Sequence, residues 1–404
     1  MQIITGGVCA PIGFKASGVH CGIRKNKTKK DLALIVSDVR ANAAAVYTTN
    51  LVKGAPLVVT KNNLNDGKAQ VIICNSGNAN TCNANGIEIA ENMCKLISAE
   101  LGINETDVIV GSTGVIGQPL DIEPIKNGIP SLVADLDSNG SQSAAEGIMT
   151  TDTKLKEIAI EFDIDGVTCR IGGIAKGSGM IHPNMATMLV FITTDVNIDS
   201  GLLQHALSNN IKDTFNMISV DGDTSTNDMV AIMANGRANN TKITTEDAAY
   251  NVFVQALNTL MVDLCRKIAK DGEGATKLIE CNVTSADSEE VAKVVAKSVI
   301  CSSLVKAAMF GSDANWGRIL CAIGYSGANV DVTKVDVSFK SNKGSILVCK
   351  DGAGVPFSED VAKEILLEDE IEILVSLNSG EKSATAWGCD LTYDYVKING
   401  DYRT

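Results

Sequence analysis

Along this chain, aliphatic runs of strand length alternate with stretches whose apolar positions return every three to four residues, the two periods that separate strands from amphipathic helices. "DLALIVSDV" (31–39) and "QVIICNSGN" (70–78) read as strands. "GIEIAENMCKLISAELG" (86–102) sets Ile87, Met93, Leu96, Ile97 and Leu101 at near-helical spacing ahead of a glycine stop at Gly102. The clearest helix is 245–270, with Val252, Phe253, Ala256, Leu257, Leu260 and Leu264 on one face. "KEIAIEFDI" (156–164) and "VTCRIGGIA" (167–175) follow each other so closely that antiparallel pairing is expected. The pattern restarts after about residue 285: a helix at 288–299, then "VDVSF", "SILVCK", a helix at 359–367 and "EIEILVSL". An α+β layered body followed by a smaller α/β unit accounts for this order.

Composition narrows the class. With 45% hydrophobic and 21% charged residues, the chain has the makeup of an ordinary globular protein. Only 4% are aromatic, so packing rests on Val, Ile, Leu, Ala and Met. Lys and Arg number 35 against 48 Asp and Glu, a formal charge of -13 without a basic block, so neither nucleic acid nor an anionic membrane is an expected partner. No apolar run reaches the ~18 residues of a spanning helix, and no leader pattern opens the chain, which gives a cytoplasmic expectation. The 12 cysteines are scattered without a CxxC pair and sit in apolar settings such as "VIIC" and "ILVC"; they read as small buried hydrophobes in a reducing compartment.

Most glycine-rich turns fail as cofactor cradles. "GSTGVIG" (111–117) is neither a dinucleotide fingerprint nor a phosphate loop, and "DGEGATK" lacks the Gly-Lys-Ser/Thr ending. "DGDTSTND" opens like a calcium loop, but Thr226 stands where the sharp-turn glycine belongs and Ile232 where the bidentate glutamate belongs. No metal is expected. "KGSGMIHPNMATMLVFITTD" (176–195) is different: a polar loop turns into a buried strand, and Thr187 stands at the junction. A threonine hydroxyl needs a base, and a threonine that opens a chain carries its own, an α-amine with a pKa of about 7.7 to 8. An internal threonine reaches that state when its hydroxyl attacks the preceding carbonyl, here that of Ala186, and the resulting ester is hydrolysed. On pattern alone the plainer reading prevails, that Thr187 is the β-branched residue that begins a buried strand.

The chain resembles the ornithine acetyltransferase family, also called the glutamate N-acetyltransferase or ArgJ family. The resemblance runs through "APIGFKASGVHCGIRK", "DLALIVSDVRANAAAVYTTN", "CNSGNAN", "GSTGVIG", "GIMTTDT", the "MATML" of 185–189, "SVDGDTSTNDMV", "AKDGEGATK", "KAAMFGSDANWGRI" and "GCDLTYDYVKINGDYRT", in family order over essentially the whole length. It implies self-cleavage between Ala186 and Thr187, with Thr187 as nucleophile and its freed amine as general base. Thr113 and Gly114 match the family's oxyanion hole. Thr150, Lys176, Thr187, Glu273, Asn399 and Thr404 match its substrate contacts: Lys176 for an α-carboxylate, Glu273 for the ornithine ammonium, and Asn399 and Thr404 on a tail folded back over the site. Thr151 and Thr153 lie so near Thr150 that this contact is open by a residue or so. Asp313 and Asn315 are given a structural or interface role. "NTCNANG" and "HPN" depart from the family pattern without removing a functional position.

The implied fold is an αββα sandwich of the self-processing ArgJ/DmpA type in residues 1–285, cut into an alpha chain (1–186) and a beta chain that starts at Thr187, with a smaller C-terminal α/β domain in 286–404. The implied reaction is a ping-pong transfer of acetyl from N2-acetyl-L-ornithine to L-glutamate in arginine biosynthesis, without a cofactor. Acetyl-CoA is a co-substrate in bifunctional members, and this sequence leaves that open. The implied assembly is a heterotetramer of two alpha and two beta chains. The competing readings are an amidase or aminopeptidase on the same self-cleaving architecture, and a binding protein that has kept the fold and lost processing.

Overall fold

The computed structural model describes residues 1–182 and 188–400. The strands are β1 (Gln2–Ile4), β2 (Phe14–Val19), β3 (Leu32–Tyr47), β4 (Lys68–Asn78), β5 (Val108–Val115), β6 (Lys156–Ile164), β7 (Val167–Lys176), β8 (Leu189–Thr194), β9 (Ile218–Ser219), β10 (Met229–Ala234), β11 (Leu278–Ala286), β12 (Asp336–Ser341), β13 (Gly344–Lys350), β14 (Ala353–Gly354), β15 (Glu370–Ser376) and β16 (Lys382–Cys389). The helices are α1 (Ala55–Asn63), α2 (Gly86–Leu101), α3 (Glu123–Ala134), α4 (Ser141–Ile148), α5 (Ser200–Asp213), α6 (Ala248–Lys270), α7 (Glu289–Cys301), α8 (Ser303–Phe310), α9 (Trp316–Gly324), α10 (Glu359–Leu366) and α11 (Tyr393–Asn399).

The long strand β3 builds the sandwich because it serves two layers. Residues 32–37 pair with β2 and β4, residues 42–47 pair with β10, and the register against β4 shifts between Val36 and Ala41. One layer runs β1-β6-β7-β8-β10 into the second half of β3, and the other runs from its first half into β4 and β5. Side chains alternate across a strand, so one set faces inward. Ala33, Ile35, Ala43 and Ala45 meet Ile72, Cys74 and Ile109 on one side and Ile174, Leu189, Phe191 and Met229 on the other. The opposite faces are covered by helices. Leu32, Leu34, Val71 and Ile73 pack on α2 and α3, while Val46, Val190, Ile192 and Val230 pack on α5 and α6. This is the expected α+β, αββα arrangement. Strands β8 and β10 are buried along their whole length, which is why both read as unbroken apolar runs.

Local signals held where chemistry is local. Gly102 ends α2 in the left-handed conformation (φ 69°), although Ile87, expected on the buried face, is exposed. β6 and β7 pair antiparallel around Asp165 and Gly166, both at positive φ (51° and 83°), a turn chemistry that suits Asp-Gly. "GSTGVIG" is a correction: β5 continues through Val115 beside β4, so its first half is strand rather than glycine turn.

A second sheet of seven strands has the order β14-β13-β12-β15-β11-β16-β9. β11 lies between β15 and β16, and β9, which precedes β10 in the chain, pairs with Trp387 and Gly388. Of the cysteines, eight are buried and all twelve are free thiols. Burial pushes the thiols of Cys9, Cys94 and Cys169 up to about 12, as expected of small core residues.

Candidate active site

Thr113, Gly114, Thr150, Lys176, Glu273 and Asn399, the expected site residues that lie among the described ones, all line one cavity of about 320 Å³. Ala79, Val115, Ile116, Thr151, Gly179, Met180 and Ser225 to Asn227 complete its wall. Ala186, Thr187 and Thr404 lie outside the described residues. Met188, which follows Thr187 in the chain, is buried at the head of β8 and lines an adjoining chamber together with Thr113, Lys176 and Asp228.

Each wall has a local reason. At the end of β5, Gly114 has φ 131°, and a Cβ there would come within 2.4 Å of the Gly77 backbone, so only glycine lets β5 pass β4 at this point. A Cβ on Gly179 would lie 2.2 Å from a Glu273 carboxylate oxygen. Two loops thus approach closely enough for Ser178 to accept from the Glu273 amide at 2.9 Å.

A buried ion triad ties three of the loops together. Lys156, 1% exposed, reaches Asp152 at 2.7 Å and Asp271 at 2.5 Å. Asp152 also accepts from the backbone N–H of Thr150 (2.9 Å) and Gly177 (2.8 Å). Asp271 accepts from the N–H of Thr153 (3.1 Å) and Lys154 (3.2 Å), and its carbonyl accepts from the Ser178 hydroxyl at 2.7 Å. The segments that carry Thr150, Lys176 and Glu273 are therefore cross-linked behind the cavity. Burial alone would raise the Asp152 carboxyl, but Lys156, Lys176 and the hydrogen bonds outweigh it and hold the group well below the usual carboxylate range.

The cavity carries opposite charges on its walls. Lys176 is buried, and its ammonium makes no hydrogen bond or ion pair with any described residue. Glu273, also buried, accepts from the Thr151 hydroxyl at 2.6 Å and from the Asn399 amide at 2.8 Å. The Asn399 contact brings the C-terminal helix α11 onto the site. Polar contacts hold its start, with Thr392 donating to the Gly274 carbonyl at 2.7 Å and Asp390 accepting from the Thr276 amide at 2.8 Å, and the largely exposed Tyr393 ring meets Phe310 edge to face at 5.7 Å. Of the threonines near 150, Thr150 and Thr151 face the cavity and Thr153 is engaged with Asp271.

Sequence reasoning missed the supports. Asn227 accepts from Thr226 at 2.6 Å, and its amide donates to the carbonyls of Ala79 (2.5 Å) and Ser112 (3.0 Å), fixing the ends of β4 and β5 beside Thr113. Asn315 caps α9 by accepting from Arg318 N–H at 3.3 Å and donates to Asp313 at 3.1 Å, a structural role far from the cavity. No histidine lines the cavity among the described residues. His182 is instead held near Ser219 at 3.1 Å, and burial pushes its pKa down to about 4.

A model of the ArgJ family matches residues 15–404. The chain belongs to the ArgJ family. It is 52% identical, over all of both chains, to the arginine biosynthesis bifunctional protein ArgJ of Caldanaerobacter subterraneus subsp. tengcongensis. It is 50% identical to the ArgJ of Bacillus anthracis over 100% of this chain and 98% of that one. The crystal structure of the ArgJ of Bacillus halodurans is 51% identical and covers 52% of this chain and 97% of its own, with a TM-score of 0.50. In this ArgJ chain no helix among the described residues is long and apolar enough to cross a membrane.

Proposed function

We propose that this chain is a self-activating glutamate N-acetyltransferase of arginine biosynthesis. Thr187, freed by cleavage after Ala186, takes acetyl from N2-acetyl-L-ornithine and passes it to the α-amine of L-glutamate. The observation that carries this reading is the cavity with a buried cation, Lys176, and a buried carboxylate, Glu273, on its walls. That pairing complements a substrate with an α-carboxylate and a distant ammonium, as in acetylornithine.

In this reading Thr113 and Gly114 stabilise the oxyanion as Thr187 Oγ attacks the acetyl carbonyl. The Thr187 amine takes the hydroxyl proton and returns it to the leaving ornithine amine. Glutamate then attacks the acetyl ester by the reverse path. Thr150 and Asn399 hold the substrate beside Glu273, with Thr404 completing the tail's contribution. The absence of histidine from the described cavity wall supports an amine supplied by the nucleophile itself. The solved relative spans nearly all of its own chain but only about half of this one, the length expected of a chain cut near its middle.

The rest of the reading follows from processing. Cleavage divides the chain into 1–186 and 187–404, whose shared sandwich core within the catalytic body, 1–285, keeps them together, and residues 286–404 form the smaller domain. The proposed assembly is a heterotetramer in the cytoplasm, and acetyl-CoA is the candidate second donor if this chain is bifunctional. Intact mass under denaturing conditions tests the cut: two fragments, the second beginning at Thr187, are expected, and a single uncut chain in active protein would overturn the mechanism. Acetylornithine consumption with and without glutamate tests the reaction. Transfer that outruns hydrolysis supports the transferase, while glutamate-independent release of acetate would make the chain an amidase.

A further inference from the structure

We propose that the loop at residues 24–30 is the docking site for the phosphates of an acyl-CoA donor, an inference that rests on the second-donor reading above. Sequence reasoning passed over this short run: Arg24, Lys25, Lys27, Lys29 and Lys30 fall within seven residues of a chain whose formal charge is -13. The loop is anchored at its base. Asp31, fully buried, accepts from the backbone N–H of Cys21 at 2.6 Å and of Arg24 at 2.9 Å. Asn26 turns the tip by accepting from the Thr28 N–H at 3.0 Å and the Thr28 hydroxyl at 2.8 Å. Lys30 is paired with Glu146 at 2.9 Å, whereas Lys25, Lys27 and Lys29 are exposed and make no ion pair among the described residues. Three like charges on so short a loop repel one another, and a bound polyanion relieves that repulsion.

The fold sets this loop against the cavity wall. Arg24 donates to the carbonyl of Met149, which precedes Thr150, and its side chain packs on Gly77, where a Cβ would lie 2.8 Å from Arg24 Cγ. Gly77 pairs in turn with Gly114. Thr150 and Gly114 both line the cavity, so the three lysines follow directly on two segments of its wall. The cavity itself, at about 320 Å³, is small for a ligand pocket. It can take the acetyl end of a CoA thioester, while the nucleotide end must lie outside. That end carries a pyrophosphate and a phosphate monoester, and the monoester alone holds about −1.5 to −2 charge at pH 7. Most of an acidic surface repels such a group, and the loop offers it ammonium donors beside the entrance.

The test compares acetyl-CoA with S-acetylpantetheine, which has the same thioester without nucleotide or phosphates, as acetyl donors to glutamate. Both are assayed with wild type and with the triple variant Lys25→Gln/Lys27→Gln/Lys29→Gln. Exposed charge contacts are individually weak, but three together should raise the acetyl-CoA KM about tenfold. The KM values of S-acetylpantetheine and acetylornithine, and the melting temperature, should stay unchanged. High salt should raise the acetyl-CoA KM of wild type and leave that of the variant nearly flat. An unchanged acetyl-CoA KM in the folded variant would overturn the proposal, as would an equal rise for S-acetylpantetheine. Inorganic phosphate that protects wild type against heat as well as CoA does would make this a free-phosphate site and overturn the assignment to a donor. A wild type that turns over acetylornithine but neither thioester would instead overturn the second-donor reading, and the docking site with it.

Discussion

Two regions of this molecule concentrate charge, and they use it differently. Behind the cavity, Lys156, Asp152 and Asp271 are buried and tied to backbone N–H groups of the loops they join. On the open face of the second sheet, Arg266 reaches Glu280 and Glu370, Lys270 reaches Asp369 and Glu370, and Lys340 reaches Glu372, nearly all partly or fully exposed. Solvent screens the second set, and side-chain entropy offsets most of its Coulomb gain. In the first set the ions have no water to return to, so loss of one leaves uncompensated charge in the interior. The lesson is that the charges that shape the site are the ones out of reach of solvent.

The comparison is broken most severely by Lys156→Met, which leaves two buried carboxylates unpaired. Removal of one partner from a buried pair costs about 3 to 5 kcal/mol. A large fall in melting temperature, with loss of acetyl transfer, is expected in calorimetry and activity assays. The same triad sets an acid limit. Because Asp152 is held below its unfolded value, its contribution is fully present above about pH 4 and is lost as pH falls through the depressed folded value. Urea midpoints in Lys156→Met should accordingly show a weaker decline with acid than wild type.

Gly114→Ala comes next. Its Cβ would collide with the Gly77 backbone and displace Thr113; if these residues form the oxyanion hole as proposed, kcat should fall by about 10² to 10³, while acetylornithine KM changes little. For Glu273→Gln, loss of a charge-assisted contact worth about 1.5 to 3 kcal/mol should lower kcat/KM for acetylornithine by roughly ten- to a hundredfold. Self-cleavage should remain intact, which separates substrate binding from processing. The smallest effect belongs to the other region: Lys340→Ala, which removes a half-exposed partner of Glu372, should shift stability by less than about 1 kcal/mol, and high salt should erase even that.

What the sequence by itself determined is what depends on near neighbours. The strand and helix periods, the Gly102 stop, the Asp165-Gly166 hairpin, the buried cysteines and the family motifs were all legible because each rests on residues within a turn or a strand of one another. What only the tertiary structure decided is what depends on distant partners. Lys156 opens an apolar strand and reads as an ordinary surface lysine, because its partner Asp271 is 115 residues away. Asp228 closes a stretch that resembles a failed calcium loop, and only the parallel pairing of β8 with β10 sets it beside Met188. Glycine-rich "GSTGVIG" looked like a turn until β4 was seen to run alongside it. The physical reason is common to all three. Burial and charge compensation are properties of a three-dimensional surrounding, and a residue's type does not reveal which remote groups will share its dielectric.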